Sequence, residues 1–194
     1  MGRLVFLTGQ PRVGKTTALK RIVSSLGAEG YSVGGVVTTE LRERGVRVGF
    51  KLEDILSGRR GTLSHVKGEG PRLGKYHINL HDLAEVGAKA LDAAIEQADV
   101  IAIDEIGPME LFSFKFKTSV ASALDSGKPV VGTIHYRTQD PFVQHIRSRG
   151  DVKIIEVTLE NRERIPLTVA GMLKKMQAEK FPQESGRHKN WKNT

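Results

Sequence analysis

Residues 4–17 read LVFLTGQPRVGKTT, an apolar stretch running straight into the spacing G-x-x-x-x-G-K-T. Each position of that spacing has a physical use. Gly9 and Gly14 let the backbone wrap a phosphate chain with no side chain in the way. Successive backbone N–H groups then point inward and form an anion nest. Lys15 reaches the β- and γ-phosphates, and the Thr16 hydroxyl suits Mg²⁺. A helix starting here would aim its positive end at the same phosphates. The flanks agree. Residues 4–7 are strand-like, and Ala18, Leu19, Ile22, Val23 and Leu26 recur at helical spacing before Gly27 and Gly30. A plain glycine-rich turn would need none of this context.

Outward from that stretch, the chain reads as one α/β domain. Residues 33–39, 46–52 and 62–66 are strand-like and separated by turns at 43–45 and 57–61, which predicts a small antiparallel meander. GEGPRLG at 68–74 reads as a mobile connector, despite its final Gly-Lys pair. Asp82 is the expected cap of a helix to about Ala98. DVIAID at 99–104 is a continuous apolar run, as in a central parallel strand. Ser113 opens a helix containing Phe116, Val120 and Leu124, and residues 130–134 form the next strand. Asp140-Pro141 starts a short helix ending near Gly150. A strand at 152–157 and a helix at 164–179, with Pro166 in its first turn, complete the pattern. The alternation predicts a three-layer fold with a mostly parallel sheet and an inserted antiparallel meander.

Bulk composition narrows the function classes. The 194 residues suit one domain, over 1–180. No apolar run is long enough to cross a membrane. Cysteine is absent, which excludes thiolate metal sites and fits a reducing cytoplasm. The net charge of +8 raises nucleic acid as a partner. Half of that excess lies in residues 174–194, with six Lys/Arg against two Asp/Glu. From Phe181 onward this segment reads as a basic, disordered tail. It can touch RNA or DNA, or simply be solvated. The oligomeric state is left open.

The apolar run at 100–103 ends in Asp104-Glu105. An acidic residue at the tip of such a strand stands beside the metal of a bound triphosphate, so Asp104 is the expected Mg²⁺ holder, with Thr16. Glu105 points past it and can orient or deprotonate a water attacking the γ-phosphate. Phosphoryl transfer also profits from a cation on that phosphate. The candidates are Arg42, Arg44, Arg47, Arg137, Arg147 and Arg149. Thr133 and His135, at the end of a neighbouring strand, are candidates for sensing the γ-phosphate or placing water. Arg12 sits inside the cradle and is expected to point outward.

Five runs give the chain a specific resemblance: GQPRVGKTT at 9–17, GGVVTTELRERGVRVGFKL at 34–52, GKYHINL at 74–80, IDEIGPMELFS at 103–113 and VTLENRE at 157–163. Together they resemble the small, THEP-type P-loop nucleoside-triphosphatase family of thermophiles and archaea, which has a vertebrate relative described as cancer-related. The resemblance implies an ASCE-type or RecA-like core and Mg²⁺-dependent hydrolysis of ATP, GTP and other nucleoside triphosphates. Carried over by motif, the phosphate loop would be Gly9, Gln10, Pro11, Arg12, Val13, Gly14, Lys15, Thr16 and Thr17. The second nucleotide-binding stretch would be Val100, Ile101, Ala102, Ile103, Asp104, Glu105, Ile106 and Gly107. Lys15 and Glu105 would be catalytic. Two departures stand out: Arg12 where relatives commonly have glycine, and Pro108 where they have lysine. Two other classes compete with the hydrolase. One is a kinase with the meander as lid or acceptor site. The other is a nucleotide switch linked to nucleic acid through the tail.

Overall fold

Strand β1 (Leu4–Thr8) is buried along its whole length, and its alternate side chains feed two different cores. Leu4 and Phe6 enter one, Val5 and Leu7 the other. A strand apolar on both faces must be covered on both faces, and this one fixes a three-layer arrangement. The computed structural model describes residues 3–180. The tail expected from Phe181 onward, with the nucleic-acid role attached to it, lies outside the described residues.

After β1 come α1 (Lys15–Ala28), β2 (Val33–Glu43), β3 (Val46–Asp54), β4 (Arg60–His65), β5 (Arg72–Leu73) and β6 (Tyr76–Ile78). One continuous helical segment follows: α2 (Leu80–Asp82), a π-helical stretch Leu83–Ala88, and α3 (Lys89–Gln97). Then come β7 (Val100–Ile106), a 3₁₀ turn Glu110–Phe112, α4 (Phe114–Asp125), β8 (Val130–Ile134), α5 (Pro141–Ser148), β9 (Val152–Glu156) and α6 (Ile165–Lys180). The nine described strands form one sheet in the order β5-β6-β4-β3-β2-β7-β8-β1-β9. From β2 to β9 every pairing is parallel; from β2 to β5 every pairing is antiparallel. Helices α1 and α6 cover one face through Leu19, Ile22, Val169 and Leu173. The π-helical stretch, α3, α4 and α5 cover the other through Leu83, Leu91, Phe116 and Val143.

Several elements differ from their sequence reading. Helix α1 begins at Lys15, within the loop motif and three residues ahead of the apolar spacing that starts at Ala18, because Gly14 takes a left-handed conformation (φ 112°) that turns the chain directly into the helix. The segment 68–74 is not a plain connector. Arg72–Leu73 pairs with Tyr76–Ile78 as a second hairpin at the sheet edge, too short to show periodicity. Asp82 does not cap the helix. Asn79 does, accepting the Asp82 N–H at 3.0 Å, while the Asp82 carboxylate accepts the Thr62 N–H at 2.7 Å and ties the helix to β4. Strand β7 runs two residues beyond the expected end, so Asp104 and Glu105 lie within it.

Candidate functional site

The order β7-β8-β1 brings the acidic strand and the glycine-rich loop to the same end of the sheet. One extra strand, β8, stands between them. Two strand spacings place β1 and β7 roughly 10 Å apart. The loop leaves β1 after Thr8, and Gly9 (φ 139°) is buried against Val157, just past the end of β9. A β-carbon there would lie 2.6 Å from the Val157 carbonyl oxygen, so only glycine fits. Arg12 (φ 67°) and Gly14 (φ 112°) also have positive φ, which curls the backbone into a concave loop. The Arg12 side chain is exposed, as its outward reading requires. Val13 is buried and anchors the loop from below. Lys15 lies back over this loop, donating to the Gly9 carbonyl at 3.1 Å and approaching that of Gln10 at 3.5 Å.

The acidic half is built around Asp104. Its carboxylate is 1 % exposed and is held by hydroxyls from three different elements. Thr16 of α1 donates to Oδ1 at 3.1 Å and Thr133 of β8 donates to Oδ1 at 2.7 Å. Thr38 of β2 donates to Oδ2 at 3.0 Å. The Thr16 contact joins residues 88 apart in sequence and links the loop to β7 directly. Thr133, a candidate for sensing the γ-phosphate or placing water, hydrogen-bonds Asp104 here. Thr38 lies in the run at 34–52 that carries the resemblance, but its sequence reading gave it no role. Only the pairing of β2 with β7 brings it here, and a Thr-Thr pair in a strand carries no signal of its own.

The ladder between β7 and β8 is irregular between Ile103 and Ile106, at the acidic pair. The Glu105 carboxyl sits close enough to Lys15 and Asp104 for both to affect its charge. Burial pushes its pKa up from the usual value, Lys15 pulls it down, and Asp104 adds to the rise. Glu105 Oε1 is buried and has no hydrogen-bond partner among the described residues. Val100, Ile101, Ala102, Ile103 and Ile106 are buried in the two cores and hold the strand in place. Gly107 is buried where a β-carbon would meet Glu110 at 3.3 Å and Glu105 at 3.5 Å.

Glu110 is a further acidic residue that spacing alone did not single out. It is 5 % exposed. Burial, then Glu105 and Asp104, push its pKa up to about 8, against the pull of the Gly107 and Glu110 N–H groups. His135 is half-buried, and its pKa is lowered by burial, by Lys15 and by Arg147, which favours the neutral ring.

The six arginine candidates separate by their partners. Arg149 is tied to Asp125 and Asp151, Arg42 and Arg47 to Glu40, and Arg44 forms the β2–β3 turn. Arg137 stacks over Tyr136. Arg147 donates to the His135 carbonyl at 2.8 Å and approaches Thr8 Oγ1 at 3.5 Å, next to the start of the loop. Thr16 and Asp104 offer a hydroxyl and a carboxylate oxygen side by side, the hard donors Mg²⁺ takes. Among the described residues there is no cluster of three or more His, Cys, Asp or Glu that could hold a metal. A cation here would complete its shell with phosphate oxygens and water, as Mg²⁺ in nucleotide sites does.

A phosphate loop between a buried strand and a helix, with an acidic strand two positions away in a parallel sheet, defines a P-loop nucleotide-binding α/β protein. Comparison with known proteins narrows that class. The profile described as NTPase matches residues 4–170, and the chain belongs to that family. It is 49% identical over 166 residues to nucleoside-triphosphatase THEP1 of Thermofilum pendens, covering 84% of this chain and 91% of the relative. The crystal structure of THEP1 from the hyperthermophile Aquifex aeolicus superposes with a TM-score of 0.78 at 35% identity, covering 88% of this chain and 98% of that one. The solution structure of a human cancer-related nucleoside triphosphatase gives 0.76 at 37% identity, covering 89% and 98%. No helix among the described residues is long and apolar enough to cross a membrane.

Proposed function

We propose that this chain hydrolyses nucleoside triphosphates to diphosphate and phosphate, with Mg²⁺, with broad base preference, and in the cytoplasm. The observation that carries the reading is the Thr16–Asp104 contact. It joins the phosphate loop to a strand bearing two carboxylates, with a lysine within reach of both halves. The names carried by relatives that match most of the chain support it.

The loop N–H groups and Lys15 cradle the β- and γ-phosphates. Thr16 and Asp104 would hold Mg²⁺, which supplies a Lewis acid for the phosphate oxygens when bound. Thr38 and Thr133 fix both oxygens of Asp104, so its orientation needs no rearrangement on binding. Glu105 orients a water in line with the γ-phosphorus. The bond from that oxygen to phosphorus forms as the β–γ bridging bond breaks, and the water proton passes toward Glu105. The raised pKa of Glu105 suits a group that must accept a proton. Charge moves onto the bridging oxygen, where Lys15 and the loop amides stabilise it.

Phosphate release measured over the common nucleoside tri- and diphosphates, with and without Mg²⁺, tests this reading. Triphosphates of all bases should turn over, with Mg²⁺ required. Lys15→Ala should lose roughly 10²–10³ in rate and bind nucleotide more weakly. Undiminished hydrolysis by Lys15→Ala would remove the loop from the reaction.

A further inference from the structure

The glycine-rich loop at 68–74 has no part in the chemistry above, yet it is packed closely against the sheet. Gly70 has a φ of 110°, and a β-carbon there would lie 2.3 Å from the Ile78 carbonyl oxygen, so only glycine fits. A β-carbon on Gly68 would lie 3.3 Å from His77 Cβ. The loop therefore closes over the β4–β6 ladder, where His65 stands directly opposite His77. Directly opposed residues hold their β-carbons about 5 Å apart on one face of the sheet. That face is turned away from the helical layer, because Tyr76 and Ile78, on either side of His77, are buried, and Ile78 packs with Leu83 and Phe116. A cleft of about 360 Å³ opens here, lined by Thr62, His65, Lys67, Glu69, His77 and Asn79.

Backbone atoms of the same loop meet both imidazoles. His65 Nδ1 lies 2.8 Å from the Lys67 carbonyl oxygen, and His77 Nδ1 lies 3.4 Å from that of Gly70. A ring that donates through Nδ1 keeps its lone pair on Nε2. Histidines that bind metals are arranged in this way, one nitrogen tied to a carbonyl and the other free for the ion. The Lys67 N–H, 2.9 Å from the same His65 nitrogen, supports the other tautomer, and a cation on Nε2 would select the first. The exposed Glu43 carboxylate, 3.8 Å from His65 Nε2, adds negative charge beside the pair.

We propose that His65 and His77 form a two-histidine site for a divalent transition cation of the Zn²⁺ class, with water completing its shell. Imidazole nitrogens suit Zn²⁺, Ni²⁺ and Cu²⁺, whereas Mg²⁺ takes oxygen. No group of three or more His, Cys, Asp or Glu is set to hold a metal among the described residues, so the two imidazoles are the fixed ligands. Strands β3 and β2 stand between β4 and β7, which separates this pair from Asp104 and the nucleotide site. The proposal is independent of the hydrolytic reading. It gives the glycine-rich loop a use, as the clip that orients two imidazoles.

The test is calorimetric titration of Zn²⁺ into the full chain, without nucleotide and with excess Mg²⁺ competing for oxygen donors. Wild type, His65→Gln, His77→Gln and His145→Gln are compared, and the histidine ring signals of the wild type are followed by NMR. One Zn²⁺ should bind per wild-type chain. Binding should persist in His145→Gln and be lost in each of the other two variants. The His65 and His77 ring signals should shift together as Zn²⁺ is added. A wild type that binds no Zn²⁺ overturns the site. Binding that survives undiminished in His65→Gln or in His77→Gln overturns the pair. Should a variant fail to fold, the wild-type spectrum decides, and shifts confined to other histidines overturn the proposal.

Discussion

Arg12 shows how much one residue can store. Its φ of 67° is a conformation in which a β-carbon is strained, and its side chain is exposed rather than engaged in the cradle. Strain of this kind is roughly 1–2 kcal/mol, and glycine would relieve it at some cost in unfolded-state entropy. Arg12→Gly should therefore stabilise the chain by up to about 1 kcal/mol in urea denaturation, with nucleotide binding retained. A destabilised variant would mean that the guanidinium holds the loop. Glu110 makes the opposite kind of statement. Its pKa is about 8 folded, against an ordinary 4.5, so the folded state binds the extra proton between those values. Stability from this group is present below about pH 4.5 and falls as pH rises towards 8, by no more than about 1.4 kcal/mol per pH unit. Glu110→Gln should flatten that part of the stability–pH curve. An identical curve in the variant would show that the buried carboxyl does not titrate there.

At the scale of elements, the long helical segment depends on Asn79, whose side chain satisfies one of the free N–H groups of its first turn. Asn79→Ala should cost about 1 kcal/mol, and Asn79→Gly only a few tenths. Equal stability of wild type and Asn79→Ala would leave the cap without energetic weight. The same element shows where sequence reasoning stops. Both Asn79 and Asp82 are good caps locally, and nothing in the sequence says that Thr62 of β4 will claim the Asp82 carboxylate. The continuous apolar runs of β1, β7 and β8 were legible because burial on both faces leaves only one reading. The β5–β6 hairpin was not, because strands of two and three residues carry no period to detect. The end of β7 was misjudged for a related reason: apolar character stops at Ile103, but the ladder continues through an irregular step to Ile106.

At the scale of the whole molecule, strand order turns separate motifs into one site. The glycine spacing, Lys15, Thr16 and the acidic pair were readable from the sequence because each has a chemistry tied to residue type. Thr38 and Glu110 were not, since a threonine and a glutamate gain their surroundings only from what the fold sets beside them. In the proposed reaction Glu105 faces the same triphosphate the loop cradles and acts on water rather than on binding. The most direct measurement sets nucleotide affinity against phosphate release for wild type and Glu105→Gln. Affinity should be unchanged and turnover should fall by roughly 10²–10⁴, the worth of a positioned general base. Equal turnover in the two proteins would contradict it.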